Sequence, residues 1–235
     1  MTVPDKEAQG VLVVGGGQFG RLALRRLTPL AAKWGPLRGV IELEPEPELL
    51  DLAASLGVPV LTGPGAPLFA AALADPVPPR WTVPAVPRHL LVEWLELTLS
   101  GGGITRHDLP GAWLPALPTV WQDPERTTVV SLAEGLCPDD CPEPPERCTA
   151  TGRRRGEPLY QRLAAAPTPT GVNRAVLASH QLAPGVGGIL LPEVLQLRRQ
   201  IAALGGAWLV ATACRCHGLA HHLNLDRPVP DPARV

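Results

Sequence analysis

The feature that most constrains this chain is a short apolar run that ends in a cluster of glycines. Residues 11–14 read VLVV and residues 15–20 read GGGQFG. Residues 21–27 then read RLALRRL, in which leucines and arginines separate onto two faces of a helix. The pattern predicts a strand, a glycine turn and a helix, which is the repeating unit of α/β proteins.

The same alternation of short apolar segments and helical patterns continues along the chain. Further strands are predicted at residues 38–43, 58–62, 80–86, 127–133, 174–179 and 207–213. Further helices are predicted at residues 46–56, 66–74, 89–99, 158–165 and 192–204. This order predicts a mostly parallel sheet with helices on both faces. We expect three parts, namely a nucleotide-binding half over 1–100, a linker or insertion over 101–126, and an α/β C-terminal half over 127–235.

The glycines fit the G-x-G-x-x-G pattern of a phosphate-binding turn. Gly15 would permit the tight turn, Gly17 would let the backbone approach a pyrophosphate, and Gly20 would let the helix pack closely on the strand. The pyrophosphate would lie at the helix N-terminus, beside Gln18 and Phe19. The alternative is an α/β turn that needs glycines without binding a nucleotide.

An acidic residue follows at the spacing that a dinucleotide site requires. Glu42 comes 22 residues after Gly20, near the end of the second predicted strand. A carboxylate there would accept hydrogen bonds from ribose hydroxyls and repel a 2′-phosphate, which favours NAD over NADP. With these residues, the segment 11–62 resembles an NAD(P)-binding Rossmann-fold domain of the potassium-transport-regulator or small-dehydrogenase type. The resemblance implies a Rossmann-like fold and a bound dinucleotide, but no particular reaction.

All five cysteines fall into two clusters in the second half. The first cluster lies in a proline-rich loop and the second follows the last predicted strand; together they are Cys137, Cys141, Cys148, Cys214 and Cys216. In a chain expected to be cytoplasmic, such clusters are metal ligands or redox groups more often than disulfides. We expect an iron–sulfur cluster, with zinc or a metal-free thiol pair as alternatives. Because four ligands suffice, we expect one cysteine, Cys148, not to be a ligand; the alternative is a mixed ligand set that includes His217.

The predicted strands also bring these features to one place. In a parallel sheet, both cysteine clusters would emerge at the carboxyl edge, together with the glycine turn and His180. We therefore name His180 and His217 as candidates for proton transfer. The alternative for His180 is a strand-end residue that hydrogen-bonds a loop. The basic run Arg153–Arg155 binds a phosphate or an acidic partner, or is a solvated loop, and His221 and His222 are expected on an exposed helix start.

Composition excludes several classes of protein. The chain has 21 Lys and Arg residues and 22 Asp and Glu residues. It therefore lacks the excess of positive charge that is typical of nucleic-acid-binding proteins. No apolar run is long enough for a membrane span, and no leader-like segment is recognised. The chain contains no G-x-S-x-G, no P-loop G-K-[ST] and no H-E-x-x-H.

Together, these features predict a cytoplasmic NAD-binding redox protein with a Cys-ligated metal centre near the nucleotide. Such a protein would exchange electrons with a redox partner protein, and an NAD-dependent oxidoreductase activity is one form of this prediction. Two alternatives stay open. One is a non-catalytic NAD(H)-sensing regulator with a structural zinc site. The other is a dehydrogenase that uses zinc as a Lewis acid.

Overall fold

The computed structural model describes residues 9–110, 113, 119–133, 135 and 137–230. These residues form a mixed α/β structure with two six-stranded sheets. The chain divides into two compact units. The first comprises residues up to 94 together with 180–192, and the second comprises 95–179 together with 193–235. The division differs from the predicted one because a segment of the second half returns to the first unit.

The strands and helices occupy the following bounds. The strands are β1 Val11–Val14, β2 Leu37–Glu42, β3 Val60–Thr62, β4 Trp81–Pro84, β5 Ile104–His107, β6 Thr119–Gln122, β7 Thr128–Ser131, β8 Val172–Ala178, β9 His180–Ala183, β10 Val186–Leu190, β11 Gly206–Ala213 and β12 His217–Leu225. The helices are α1 Gln18–Leu27, α2 Ala31–Trp34, α3 Pro47–Leu56, α4 Gly65–Leu73, α5 Leu90–Thr98, α6 Leu159–Ala165 and α7 Leu191–Leu204. No helix of the described residues has both the length and the apolar character that crossing a membrane requires.

The sheet of the first unit has the order β3-β2-β1-β4-β10-β9. Strands β3, β2, β1 and β4 are parallel, as predicted, and β1 is buried along its whole length. Strands β10 and β9 add antiparallel neighbours at the β4 edge. The segment 183–188, which contains three glycines, is mostly strand. Only Pro184 and Gly185 lie between β9 and β10, and Gly185 has a φ of +65° that suits a tight hairpin turn.

The sheet of the second unit has the order β6-β7-β12-β11-β8, and β5 also pairs with β12. Only β11 and β8 are parallel neighbours, so the expectation of a mostly parallel sheet is wrong for this half. The reason is the hairpin between β11 and β12. Its turn consists of Arg215 and Cys216 alone, flanked by paired Cys214 and His217, and a two-residue turn imposes antiparallel pairing.

Two further segments differ from the predictions for the second half. His221 and His222 lie within strand β12 rather than at a helix start, and His221 is fully buried. The predicted linker 101–126 contains β5 and β6, both of which pair with strands of the second sheet. Residues 111–112 and 114–118 of that linker lie outside the described part of the chain.

Candidate functional site

The glycine turn of the first unit is closely packed at two of its three predicted positions. Gly15 has a φ of +103°, and a Cβ atom there would lie 2.3 Å from the Ala85 carbonyl oxygen. A Cβ atom on Gly20 would lie 1.9 Å from the Gly15 carbonyl oxygen. Both positions therefore require glycine for packing, which agrees with the structural roles predicted for them.

Gly17 differs, because the space into which a side chain would project there is open. It is the N-cap residue of α1, and a Cβ atom added there would meet no atom within 4 Å. Because the N-cap residue is glycine, it has no side chain to cap the first N–H groups of α1. Gln18 and Phe19 open the helix, and the Phe19 side chain is 53% exposed. Packing does not require glycine here, and the N–H groups of a helix start can donate to an anion.

The predicted acid lies against the same turn. Glu42 ends β2, and its carboxylate accepts a hydrogen bond from the Gly16 N–H at 2.5 Å and another from the Leu43 N–H at 2.8 Å. Gly16 was not singled out by the sequence pattern. A Cβ atom at Gly16 would lie 2.2 Å from the Leu49 Cδ2 atom, so this position also requires glycine. The end of β2 and the start of α1 thus form one compact polar surface.

His180 does not reach this surface as predicted. It is the first residue of β9. Strand β4 is parallel to β1 and antiparallel to β10, and β10 is antiparallel to β9, so β9 runs in the same direction as β1. His180 therefore lies at the amino end of its strand, whereas the glycine turn follows the carboxyl end of β1. Its ring packs edge-on against Trp81 at a centroid distance of 5.4 Å. This contact gives His180 a packing role, and its role in proton transfer stays a prediction.

The two cysteine clusters lie together in the second unit. Strands β7 and β11 run in the same direction because both are antiparallel to β12, so the segments that follow them leave the sheet at one edge. The Leu132 N–H, just after β7, donates to the Cys216 carbonyl at 2.7 Å. The convergence predicted from a parallel sheet is thus achieved with an antiparallel strand between the two.

Four side-chain contacts define this cysteine region. The Cys137 Sγ atom lies 3.7 Å from His217 Nε2, and the Cys214 Sγ atom lies 3.9 Å from His217 Nδ1. The Arg155 guanidinium donates a short hydrogen bond from Nη1 to the Cys216 sulfur. The Cys141 sulfur contacts the Thr149 hydroxyl at 3.5 Å. All five cysteines are half-buried, and none forms a disulfide.

Charge and burial affect the five thiols differently. Burial, together with the nearby Glu143 carboxylate, raises the pKa of Cys214 to about 12. Burial also raises the pKa values of Cys137 and Cys216, although Arg155 opposes the increase at Cys216. Hydrogen bonds from the Thr151 side chain and from backbone N–H groups lower the pKa of Cys148.

Burial lowers the pKa of the His217 imidazole. The cysteine region therefore combines protonated thiols with one thiol that ionises more readily, and with an imidazole that is neutral at physiological pH.

These contacts do not assemble a metal site. Cys137 and Cys214 meet opposite nitrogens of the His217 ring, so the two sulfurs and the ring do not face one point. The Cys216 sulfur faces a guanidinium cation, which would repel a metal ion. Within the described ranges, no group of three or more His, Cys, Asp or Glu side chains is arranged to hold a metal ion. The iron–sulfur or zinc centre stays a prediction.

Two residues of this region were not identified from the sequence. Glu143 accepts the Arg215 N–H at 2.8 Å and thereby ties the first cysteine loop to the β11–β12 turn. Arg155 lies beside Cys216, although the sequence showed only a basic run. Both residues come from segments without regular periodicity, so no sequence pattern distinguishes them from neighbouring exposed charges.

Comparison with known proteins assigns the chain to a family. Residues 89–226, more than half of the chain, match the AF_1314_C family, described as "Uncharacterized protein, C-terminal domain". The chain belongs to this family. The matched segment includes both cysteine clusters, whereas the glycine turn lies before it.

One curated relative comes from Archaeoglobus fulgidus and is described as an uncharacterized protein. It is 29% identical over 151 residues, and the match covers 60% of this chain and 63% of the relative. The chain thus spans less than two thirds of the length of the relative. No solved structure matches the chain.

Proposed function

We propose that this protein binds NAD(H) through the glycine turn of its first unit and is a redox protein. The observation that carries the proposal is the surface around Gly17, where a helix start with a glycine N-cap, an open backbone position and the Glu42 carboxylate lie together. The strand order β3-β2-β1-β4 supports it, because Rossmann-type dinucleotide-binding halves share that order.

Each part of this surface has a chemical role in the proposal. The first N–H groups of α1 donate to the pyrophosphate, whose charge the helix dipole stabilises. The open space at Gly17 admits the phosphate close to the backbone. Glu42 accepts from a ribose hydroxyl and excludes a 2′-phosphate, so NAD(H) is preferred over NADP(H).

The redox part of the proposal rests on the cysteine region of the second unit. Five half-buried thiols without a disulfide are an unusual concentration of oxidisable groups. A bound nicotinamide would supply hydride chemistry. Proximity of the nucleotide to the cysteine region, and a metal held by that region, stay predictions from the sequence.

The test is titration of the full chain with NADH by isothermal calorimetry, comparing the natural protein with Gly17→Ala. We expect the natural protein to bind and the variant to bind at least about tenfold more weakly, because the added methyl occupies the space of the pyrophosphate. Circular dichroism and melting temperature should be unchanged in the variant. Absence of NADH binding by the natural protein would contradict the proposal.

A second measurement addresses the redox part and the metal prediction. Protein purified without oxygen is assayed for metal, acid-labile sulfide and NADH oxidation in the presence of an electron acceptor. Iron with matching sulfide would support the iron–sulfur prediction, and zinc without sulfide would support the zinc alternatives. Binding of NADH without oxidation would favour the NAD(H)-sensing alternative over a redox protein.

A further inference from the structure

The second unit contains a cavity of about 540 Å³ beside the cysteine region. Its lining is strongly basic, since it includes one carboxylate, Glu157, and five arginines, namely Arg153, Arg154, Arg155, Arg162 and Arg215. Cys137, Cys148, Cys216 and Thr151 also line the cavity. A concave surface with this excess of guanidinium groups concentrates anions.

Arg155 is the side chain that distinguishes this cavity from an ordinary basic surface. Its Nη1 atom donates to the Cys216 sulfur, whereas its Nε and Nη2 atoms are shielded from solvent and have no hydrogen-bond partner among the described residues. Shielded N–H groups of a cation are costly to leave unpaired. The Nε and Nη2 groups lie on one edge of the guanidinium, the edge that binds two oxygens of one phosphate or carboxylate.

We infer that this cavity binds the phosphate group of a small phosphorylated molecule, and that the Arg155 side chain turns its Nε–Nη2 edge toward two oxygens of that phosphate. A phosphate carries up to two negative charges, which suits the five arginines better than a single carboxylate does. The volume exceeds that of one phosphate ion, so the cavity also has room for the organic part of the ligand. The ligand would lie directly beside the Cys216 sulfur.

The test measures binding of inorganic phosphate to the full chain by calorimetry at constant ionic strength, adjusted with chloride. We expect saturable binding to the natural protein and at least about tenfold weaker binding to Arg155→Lys. This variant keeps the positive charge but loses the two parallel N–H donors of the guanidinium edge. Arg155→Met should abolish binding. The matched control is Arg174→Met, because Arg174 is an exposed arginine of the same unit that does not line the cavity.

A second readout follows the thiols by mass spectrometry during alkylation with iodoacetamide. Phosphate should slow alkylation of Cys216 but not that of Cys141, which does not line the cavity. Gly17→Ala, which should weaken NADH binding, should retain phosphate binding at the cavity. The two proposals can therefore fail independently of each other. Equal phosphate affinity of Arg155→Lys and the natural protein, or no saturable binding by the natural protein, would overturn it.

Discussion

The Glu42 carboxylate and the Gly16 backbone N–H are joined by a 2.5 Å hydrogen bond across 26 residues of sequence. The bond holds a negative charge at the mouth of the glycine turn. It also ties the end of β2 to the start of α1, so the acid is fixed in place before any ligand arrives. A preplaced carboxylate discriminates between nucleotides because a second negative group beside it is repelled.

The first prediction concerns nucleotide choice. Glu42→Gln keeps an oxygen acceptor for the Gly16 N–H but removes the charge. We therefore expect NADH binding to weaken several-fold and the preference for NADH over NADPH to fall by about tenfold. Calorimetric titration with both nucleotides measures the change. Glu44→Gln, which removes an exposed charge two residues away, should leave the preference as it is.

The second prediction separates packing from binding among the glycines. Gly20→Ala places a methyl group against the Gly15 carbonyl, so we expect the free energy of unfolding to fall by about 3 kcal/mol or more. Gly17→Ala should change it by less than about 1 kcal/mol. Urea denaturation of both variants provides the measurement. Equal stabilities of the two variants would show that the described packing around α1 is incorrect.

The third prediction concerns acid stability. Burial, reinforced by the charge of Arg106 and opposed by Asp123, lowers the pKa of His221 to about 4. Between about pH 6.5 and pH 4 the unfolded chain therefore takes up a proton that the folded chain does not. The free energy of unfolding should fall as the pH falls through this window, by up to about 3 kcal/mol from His221 alone.

Urea denaturation at several pH values tests this expectation. His221→Leu should reduce the loss without removing it, because burial also lowers the pKa values of His217 and His222. His180→Gln removes an exposed imidazole of the first unit and provides the control. An unchanged pH dependence in His221→Leu would contradict the assignment.

The fourth prediction ranks the reactivity of two cysteines. Hydrogen bonds from Thr151 lower the pKa of Cys148, whereas burial and Glu143 raise that of Cys214 to about 12. Because the thiolate is the reactive form, iodoacetamide at neutral pH should modify Cys148 before Cys214. Peptide mapping by mass spectrometry over time measures both rates.

The Thr151 hydroxyl provides the matched variants for this experiment. Thr151→Ala should slow modification of Cys148 several-fold, since it removes the hydrogen bond that stabilises the thiolate. Thr149→Ala removes a hydroxyl that contacts Cys141 instead, and should leave the rate at Cys148 unchanged. Modification of Cys214 at the rate of Cys148 would refute the ranking.

The first unit could largely be predicted because its signals are local. The apolar run of β1, the glycine turn and the α1 pattern are contiguous. Helix α3 ends at Leu56, the predicted last residue, and Gly57 follows it in the left-handed conformation. The last residue of α7, Leu204, was also predicted, because a glycine follows it in the sequence. That glycine, Gly205, has a φ of +60°. Residues close in sequence determine each of these features.

The second unit could not be predicted in this way. The two turn residues of the β11–β12 hairpin are Arg215 and Cys216, whereas glycine or asparagine is typical of such turns. No local signal therefore indicates a hairpin, and the sequence predicts a helix start where β12 lies. The pairing of Arg155 with Cys216 joins residues 61 apart, and the intervening segment has no periodicity. A tertiary contact of this kind leaves no trace in local sequence.

The return of residues 180–192 to the first unit has a consequence for dissecting the protein. A fragment ending at residue 94 would lack β9 and β10, and β4 would become an uncovered edge strand with unpaired backbone groups. A fragment starting at residue 95 would carry two strands whose pairing partner had been deleted. A single truncation therefore leaves neither unit intact. Isolating the second unit requires a designed linker in place of 180–192, and isolating the first requires one in place of 95–179.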